Sequence, residues 1–219
     1  MKLAGQTYWQ ILPIGPTGFG DSPYQSVSTF AGNPYFIDLD QLVEEGFLTT
    51  QECEKSDFGK TARYVDYEKI YLSRFSILRK AYDRSDCNSK KDYIEFTRDN
   101  AFWLDDYALF MAIKDSYGGL SWVDWDKEIK FRNNDALLEY NNKFSNDIEF
   151  YKFIQYLFAK QWKKLKEYAN NNGIKIIGDI PIYVAMDSAD AWSNPGLFQF
   201  NESLTPLAVS GCPPDDFAE

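Results

Sequence analysis

Apolar residues recur at helical spacing through most of residues 49–172, with few glycines or prolines to interrupt them. The clearest stretch closes this region, where Phe150, Ile154, Leu157, Gln161, Leu165 and Tyr168 step along one face. Lys152, Lys160, Lys163, Lys164 and Lys166 fall elsewhere, most of them in the C-terminal half, where the helix macrodipole favours cations. Asn170-Asn-Asn-Gly173 predicts the end of this helix, with Gly173 as its left-handed cap. The period then changes. Ile174, Ile176, Ile177 and Ile180 crowd around Asp179, and Pro181 forbids a regular central strand beyond it. This pattern predicts a buried strand over residues 174–182 that carries a carboxylate at its C-terminal end. Tyr8-Trp-Gln-Ile-Leu-Pro-Ile14, bounded by Gly5 and Pro16, predicts a second strand.

Residues 15–34 hold four glycines and three prolines, too much punctuation for a helix, so a long loop is expected. Long ordered loops at strand ends are usually functional. A short helix is expected over Asp38 to Gly46, and an amphipathic one over Ala101 to Ile113. The latter is followed by Tyr117-Gly-Gly119 and by Ser121-Trp-Val-Asp-Trp125, whose tryptophans read as core. The 149–172 helix, its tight turn and the Asp179 strand form half of a βαβ unit. The helices before them read as a subdomain inserted between two strands of a barrel. A (β/α)8 barrel needs eight strands, so two strands read as a piece of one.

The formal net charge is -10 and the isoelectric point near 4.6, which argues against a polyanionic partner such as nucleic acid. No apolar run approaches the length of a membrane span, and Gly5-Gln6 so soon after Met1 argues against a signal peptide. The three cysteines, Cys53, Cys87 and Cys212, are widely spaced and odd in number, which suits a reducing cytoplasm. Histidine is absent, which removes His-based triads, His-ligated zinc and His general bases and leaves carboxylates for acid–base work. Aromatics make up 17% of the chain, and flat amphipathic rings are what a sugar-binding groove uses, although most of these rings read as core packing.

Asp179 is the first candidate for chemistry, because catalytic side chains collect at the C-terminal ends of parallel strands. Its alternative is a structural carboxylate capping nearby backbone N–H groups. Asp187, in Asp187-Ser-Ala-Asp190, reads either as the N-cap of a helix through Trp192 or as a sugar contact. Gly18-Phe-Gly-Asp-Ser22 is not a phosphate loop, since it lacks the Lys-Ser/Thr ending and the following helix.

Five segments together resemble the 4-α-glucanotransferases called amylomaltases or disproportionating enzymes. They are the run from Tyr8 through Pro16-Thr-Gly-Phe-Gly-Asp-Ser-Pro-Tyr-Gln-Ser26 with Ala31-Gly-Asn-Pro34, Leu104-Asp-Asp-Tyr-Ala-Leu-Phe110, Gly178-Asp-Ile-Pro-Ile-Tyr-Val-Ala-Met-Asp-Ser-Ala-Asp-Ala-Trp192, and Gly211-Cys-Pro-Pro-Asp215. They occur in the family's order and cover the chain end to end. The resemblance implies an α/β fold, a partial (β/α)8 TIM barrel of α-amylase type with a large inserted helical subdomain. Residues 1–40 would be a first barrel segment and substrate loop, 41–148 the insertion, and 149–219 a barrel helix, strand and the start of an active-site loop. It implies transfer of α-1,4-glucan segments between maltooligosaccharides or starch-type glucans by a retaining double displacement, with no metal or organic cofactor.

By the same resemblance Asp179 is a supporting active-site aspartate, and Ser22 and Tyr24 flank the bond-cleaving subsite, the Tyr ring stacking on the donor sugar. Phe19 and Tyr71 fall where the family often has two tyrosines forming a second glucan site, and Phe19 lacks the hydroxyl. Asp187, Asp215 and Phe217 are expected substrate contacts, the last two opening a loop over the groove. Asp216 stands where the family frequently has Tyr. The nucleophilic Asp, the acid/base Glu and the third, stabilising Asp are implied to lie beyond Glu219, and the first barrel strand before Lys2. None of the three core carboxylates is therefore expected among these residues. A non-catalytic glucan-binding module and a hydrolase of the α-amylase group stay open as alternatives.

Overall fold

In the computed structural model, described for residues 1–18, 20–61, 63–181, 184–208 and 211, helices dominate and a two-stranded parallel sheet lies beside them. The elements run β1 (Tyr8–Gln10), α1 (Leu39–Glu44), α2 (Thr50–Lys55), α3 (Tyr67–Arg84), α4 (Lys91–Asp99) and α5 (Ala101–Ser116). There follow α6 (Lys127–Lys130), α7 (Asn134–Lys143), α8 (Ser145–Asn171), β2 (Lys175–Ile177) and α9 (Ala189–Ser193).

Local chemistry sets the boundaries. Asp38 caps α1 by accepting the N–H of Asp40, and Thr49 with Glu52 forms a reciprocal capping box on α2. The end of α8 is a Schellman motif: Gly173, at φ 77°, donates to the Asn170 carbonyl and Ile174 donates to that of Ala169. A left-handed residue there turns the chain straight into β2, which pairs with β1 in the register Tyr8↔Lys175, Trp9↔Ile176 and Gln10↔Ile177.

The core is built on α5 and α8. Leu104, Tyr107, Phe110 and Ile113 of α5 meet a buried face of α8 that includes Phe150, Phe153, Ile154 and Leu157. Seven residues of α5 are buried, which marks it as a central helix rather than a surface one. Phe110, Trp125 and Trp192 pack with ring centroids 5.3–6.0 Å apart. Trp122 and Trp125 are core, as their setting predicted. Buried indoles need acceptors, and each finds one: Trp122 Nε1 donates to Met186, Trp125 Nε1 to Leu120 and Trp192 Nε1 to Ile129.

Two expectations are corrected. Both strands are shorter than the apolar runs that predicted them, 8–10 against 8–14 and 175–177 against 174–182. Burial is also lost along the second: Ile174 is 5% exposed, but Ile177 is 46% exposed and Ile180 80%. The cause is the same in both cases. Among the described residues each strand has a single neighbour in the sheet, so apolar side chains suited to a layered interior face outward. The apolar face of α8 is likewise covered through Leu157 and open at Leu165 and Tyr168.

Candidate active-site groove

The loop after β1 is an ordered hairpin. Gly18 N–H donates to the Gln25 carbonyl, and Thr17 bridges Ser26 in antiparallel fashion. Buried Ser26 Oγ lies 2.9 Å from the Pro16 carbonyl and 2.6 Å from that of Ser28, tying the two arms. A Cβ on Gly15 would stand 2.9 Å from that hydroxyl, so this corner needs glycine. The returning arm lies along the segment that follows β2, where Ala185 N–H donates to Ser26, Ala189 N–H to Val27, and Thr29 N–H to the Asp190 carboxylate.

Two glutamines of α8 hold the rest of the loop. Gln155 accepts from Gly32 N–H at 2.8 Å and donates to Gly32 C=O at 2.9 Å. Gln161 does the same for Asp38, at 2.7 and 3.1 Å. The Phe158 ring lies against Gly32 so closely that a Cβ there would sit 2.0 Å from it. Nothing in the sequence flagged Gln155 as special beyond being a polar residue beside an apolar helix face.

Held this way, the hairpin tip meets the end of β2. Tyr24 Oη donates to Asp179 Oδ2 at 2.8 Å, and Asp179 Oδ1 accepts Ile180 N–H at 2.9 Å. Ser22 Oγ accepts the Tyr24 N–H at 3.3 Å and so shapes the turn that presents the ring. The hydrogen bond to the carboxylate, chiefly, raises the Tyr24 pKa above its usual value and keeps the phenol a donor. Tyr24 remains 44% exposed, which leaves ring surface free for a ligand. Asp179 is exposed rather than enclosed in apolar surroundings, a correction to the sequence reading that follows from the open sheet.

Two other sequence candidates line clefts formed with the same hairpin. Tyr71 is half exposed and lines a 600 Å³ cleft on the Gly18–Asp21 side of the hairpin, with Tyr35, Tyr67 and Asp115. Asp187 lines a second cleft of 720 Å³ that shares Gly18, Val27, Lys114 and Gly119 with the first. Its Oδ2 lies 2.5 Å from Lys114 Nζ and its Oδ1 accepts Trp122 N–H at 3.3 Å. The N-cap expected at Asp187 is in fact the next residue: Ser188 Oγ accepts Ala191 N–H. The extended backbone of Ser188 aims its own side chain at the first turn, which frees Asp187 to bridge to the helical region. Phe19, Asp215 and Phe217 lie outside the described residues.

Comparison with known proteins bears on the fold and the family. The backbone superposes on the amylomaltase of Streptococcus agalactiae solved with acarbose, with a TM-score of 0.92 at 42% identity over 98% of this chain and 44% of that one. The amylomaltase of Corynebacterium glutamicum shares the fold at a TM-score of 0.66 and 17% identity. The family profile for 4-alpha-glucanotransferase matches residues 1–219, and the chain belongs to that family. Relatives named 4-alpha-glucanotransferase include those of Clostridium butyricum, 50% identical over 220 residues, and Streptococcus pneumoniae, 47% identical over 215 residues. The chain spans 45% and 43% of those two relatives' lengths.

Proposed function

We propose that this chain supplies the donor-side glucan-binding wall of a 4-α-glucanotransferase, one that moves α-1,4-glucan segments between maltooligosaccharides by a retaining double displacement. The observation that carries the reading is the Tyr24–Asp179 pair, an exposed aromatic ring locked to a carboxylate at the C-terminal end of a parallel strand. A sugar ring stacks its C–H face on the phenol, while Asp179, fixed by Tyr24 and Ile180, accepts a hydroxyl. Ser22 sets the tilt of the ring. Tyr71, with Phe19, offers a second glucan contact across the hairpin, Asp187 belongs to the wall of the groove, and Asp215 and Phe217 belong to a covering loop.

The chemistry needs more than this. Retaining transfer requires a nucleophile and an acid/base carboxylate about 5–5.5 Å apart. We assign neither role to a residue of this chain. The sheet and α8 are read as part of a (β/α)8 barrel: residues 1–40 and 149–219 belong to it, and 41–148 form the helical insertion. Free Cys53 and Cys87 suit a reducing cytoplasm, and the net charge of -10 suits a neutral rather than a polyanionic ligand. No helix among the described residues is long and apolar enough to cross a membrane.

Calorimetric titration of the 219-residue polypeptide with maltoheptaose tests the reading. Asp179→Ala should weaken binding by about 1.5–3 kcal/mol, the worth of a hydrogen bond to a charged group. Because Asp179 is exposed, the same change should leave the melting temperature nearly unmoved. Incubation with maltotriose should release no glucose. No binding by the wild type, or clear turnover by this polypeptide, would each overturn part of the proposal.

A further inference from the structure

The segment after α9 carries a feature that the Tyr24–Asp179 site does not use. Phe198 and Phe200 stack with ring centroids 5.7 Å apart and planes 27° from parallel, and both line the 720 Å³ cleft. The pair is rigidly mounted. Phe200 meets the buried Trp122 edge-on at 5.8 Å, and Trp122 is itself anchored through Nε1 to Met186 C=O at 2.8 Å. The backbone around it is a closed hairpin, in which Leu207 N–H donates to Gln199, Asn201 N–H donates to Thr205, and the Asn201 side chain accepts from Ser203 and Thr205.

The polar part of the cleft selects the kind of ligand. Lys114 Nζ is already committed to Asp187 at 2.5 Å and to the Gly119 carbonyl at 3.0 Å, so among the described residues that line the cleft the charges neutralise each other. A floor without net charge favours neither an anion nor a cation. Gln25 and Gln199, both exposed, bring side-chain amides to the rim beside the aromatic pair. A stacking platform, amide donors and acceptors, and no net charge match a neutral polyol with an apolar face, which is what a pyranose is. Continuity gives the source of that sugar, because Gln25 follows Tyr24 on the same hairpin and Val184–Asp187 continue the segment that begins at Asp179.

We propose that the Phe198–Phe200 platform and its cleft are a further subsite for glucose units of the same α-1,4-glucan, beyond those held at Tyr24 and Asp179. The inference rests on the glucan-binding reading above. The test compares maltoheptaose and maltotriose in calorimetric titrations of the 219-residue polypeptide. Removing one stacking face should weaken maltoheptaose about fivefold to tenfold in Phe198→Ala, the loss expected when one such apolar contact is no longer buried. Maltotriose, which is satisfied at the Tyr24 site, should bind within about twofold of wild type. Phe198→Tyr keeps the ring and should bind both sugars like the wild type, and an unchanged melt of each variant excludes a folding defect. Wild-type maltoheptaose affinity in Phe198→Ala, or equal losses for both sugars, would overturn the subsite and leave the proposed function standing. Wild-type protein that binds neither sugar would remove both.

Discussion

Replacing Gln155 by Leu should cost more than any single apolar truncation on the surface of α8. The side chain is 2% exposed and satisfies both backbone groups of Gly32, at 2.8 and 2.9 Å. Leu keeps the volume and removes both partners. Water is a poor substitute, because the Phe158 ring lies flat against Gly32 and the residue is buried. Each orphaned backbone group costs about 1–3 kcal/mol, so about 2–4 kcal/mol is expected for the two after partial relaxation. At about 2–4 °C per kcal/mol for a chain of this size, the melting temperature should fall by roughly 5–15 °C. Far-ultraviolet circular dichroism during heating measures it. Maltoheptaose affinity should also fall, because the loop that Gln155 anchors carries Ser22 and Tyr24. Gln155→Glu provides an internal control. An ionised carboxylate still accepts from Gly32 N–H but faces Gly32 C=O without a donor, whereas a protonated one both donates and accepts. This variant should therefore regain stability relative to wild type as pH falls. A Gln155→Leu melt within about 2 °C of wild type would mean that the loop finds other partners and that the clamp reasoning is wrong.

Two further outcomes follow from the ionisable groups. The Tyr156 phenol, which donates to Asp92, holds that carboxyl below its ordinary range. A depressed carboxylate adds stability that is fully present above its unfolded pKa of about 3.9 and is lost as pH falls through the lower folded value, so Asp92→Asn should flatten the acid limb of a stability–pH curve. Asp115 is the opposite case: burial pushes it up despite the hydrogen bond from Tyr151 Oη. Its penalty is full above the folded pKa and fades on acidification, so Asp115→Asn should gain stability over wild type at neutral pH and lose that advantage as the solution is made acid. Separately, Lys114→Met should lower stability by about 1–2 kcal/mol in a denaturant titration, because it removes the cation from the partly buried Asp187 carboxylate and leaves it, among the described residues, with the Trp122 N–H; an unchanged midpoint would show that solvent already screens the pair.

What the sequence made legible was local. The spacing of Phe150, Ile154 and Leu157 predicted α8, and Gly173 after three asparagines predicted its left-handed end, which the structure completes with two capping hydrogen bonds. Asp38 and the 101–113 pattern marked α1 and α5 to within a few residues. Strand length and burial were not legible, because they are set by neighbours rather than by the strand's own residues. Ile177 and Ile180 read as interior positions and stand exposed, with β1 the one strand beside β2 among the described residues.

The candidate groove divides along the same line. Asp179 stood out as a candidate by type and position, an Asp at a strand end, whereas Tyr24 came forward only through the family resemblance. How they engage was not readable. Tyr24 and Asp179 are 155 residues apart, and no periodicity links a hairpin tip to a strand end. The two possible roles of Asp187 were likewise undecidable from Asp187-Ser-Ala-Asp190, since both residues at its start are good N-caps. The choice falls to Ser188, whose extended backbone aims its side chain at the first turn, and Asp187 pairs instead with Lys114, on a helix 73 residues earlier. That division has a structural consequence. The carboxylate without the capping role ties the last turn of α5, through Lys114, and the Trp122 backbone to the segment before α9, so a contact far away in sequence holds that segment against the helical region.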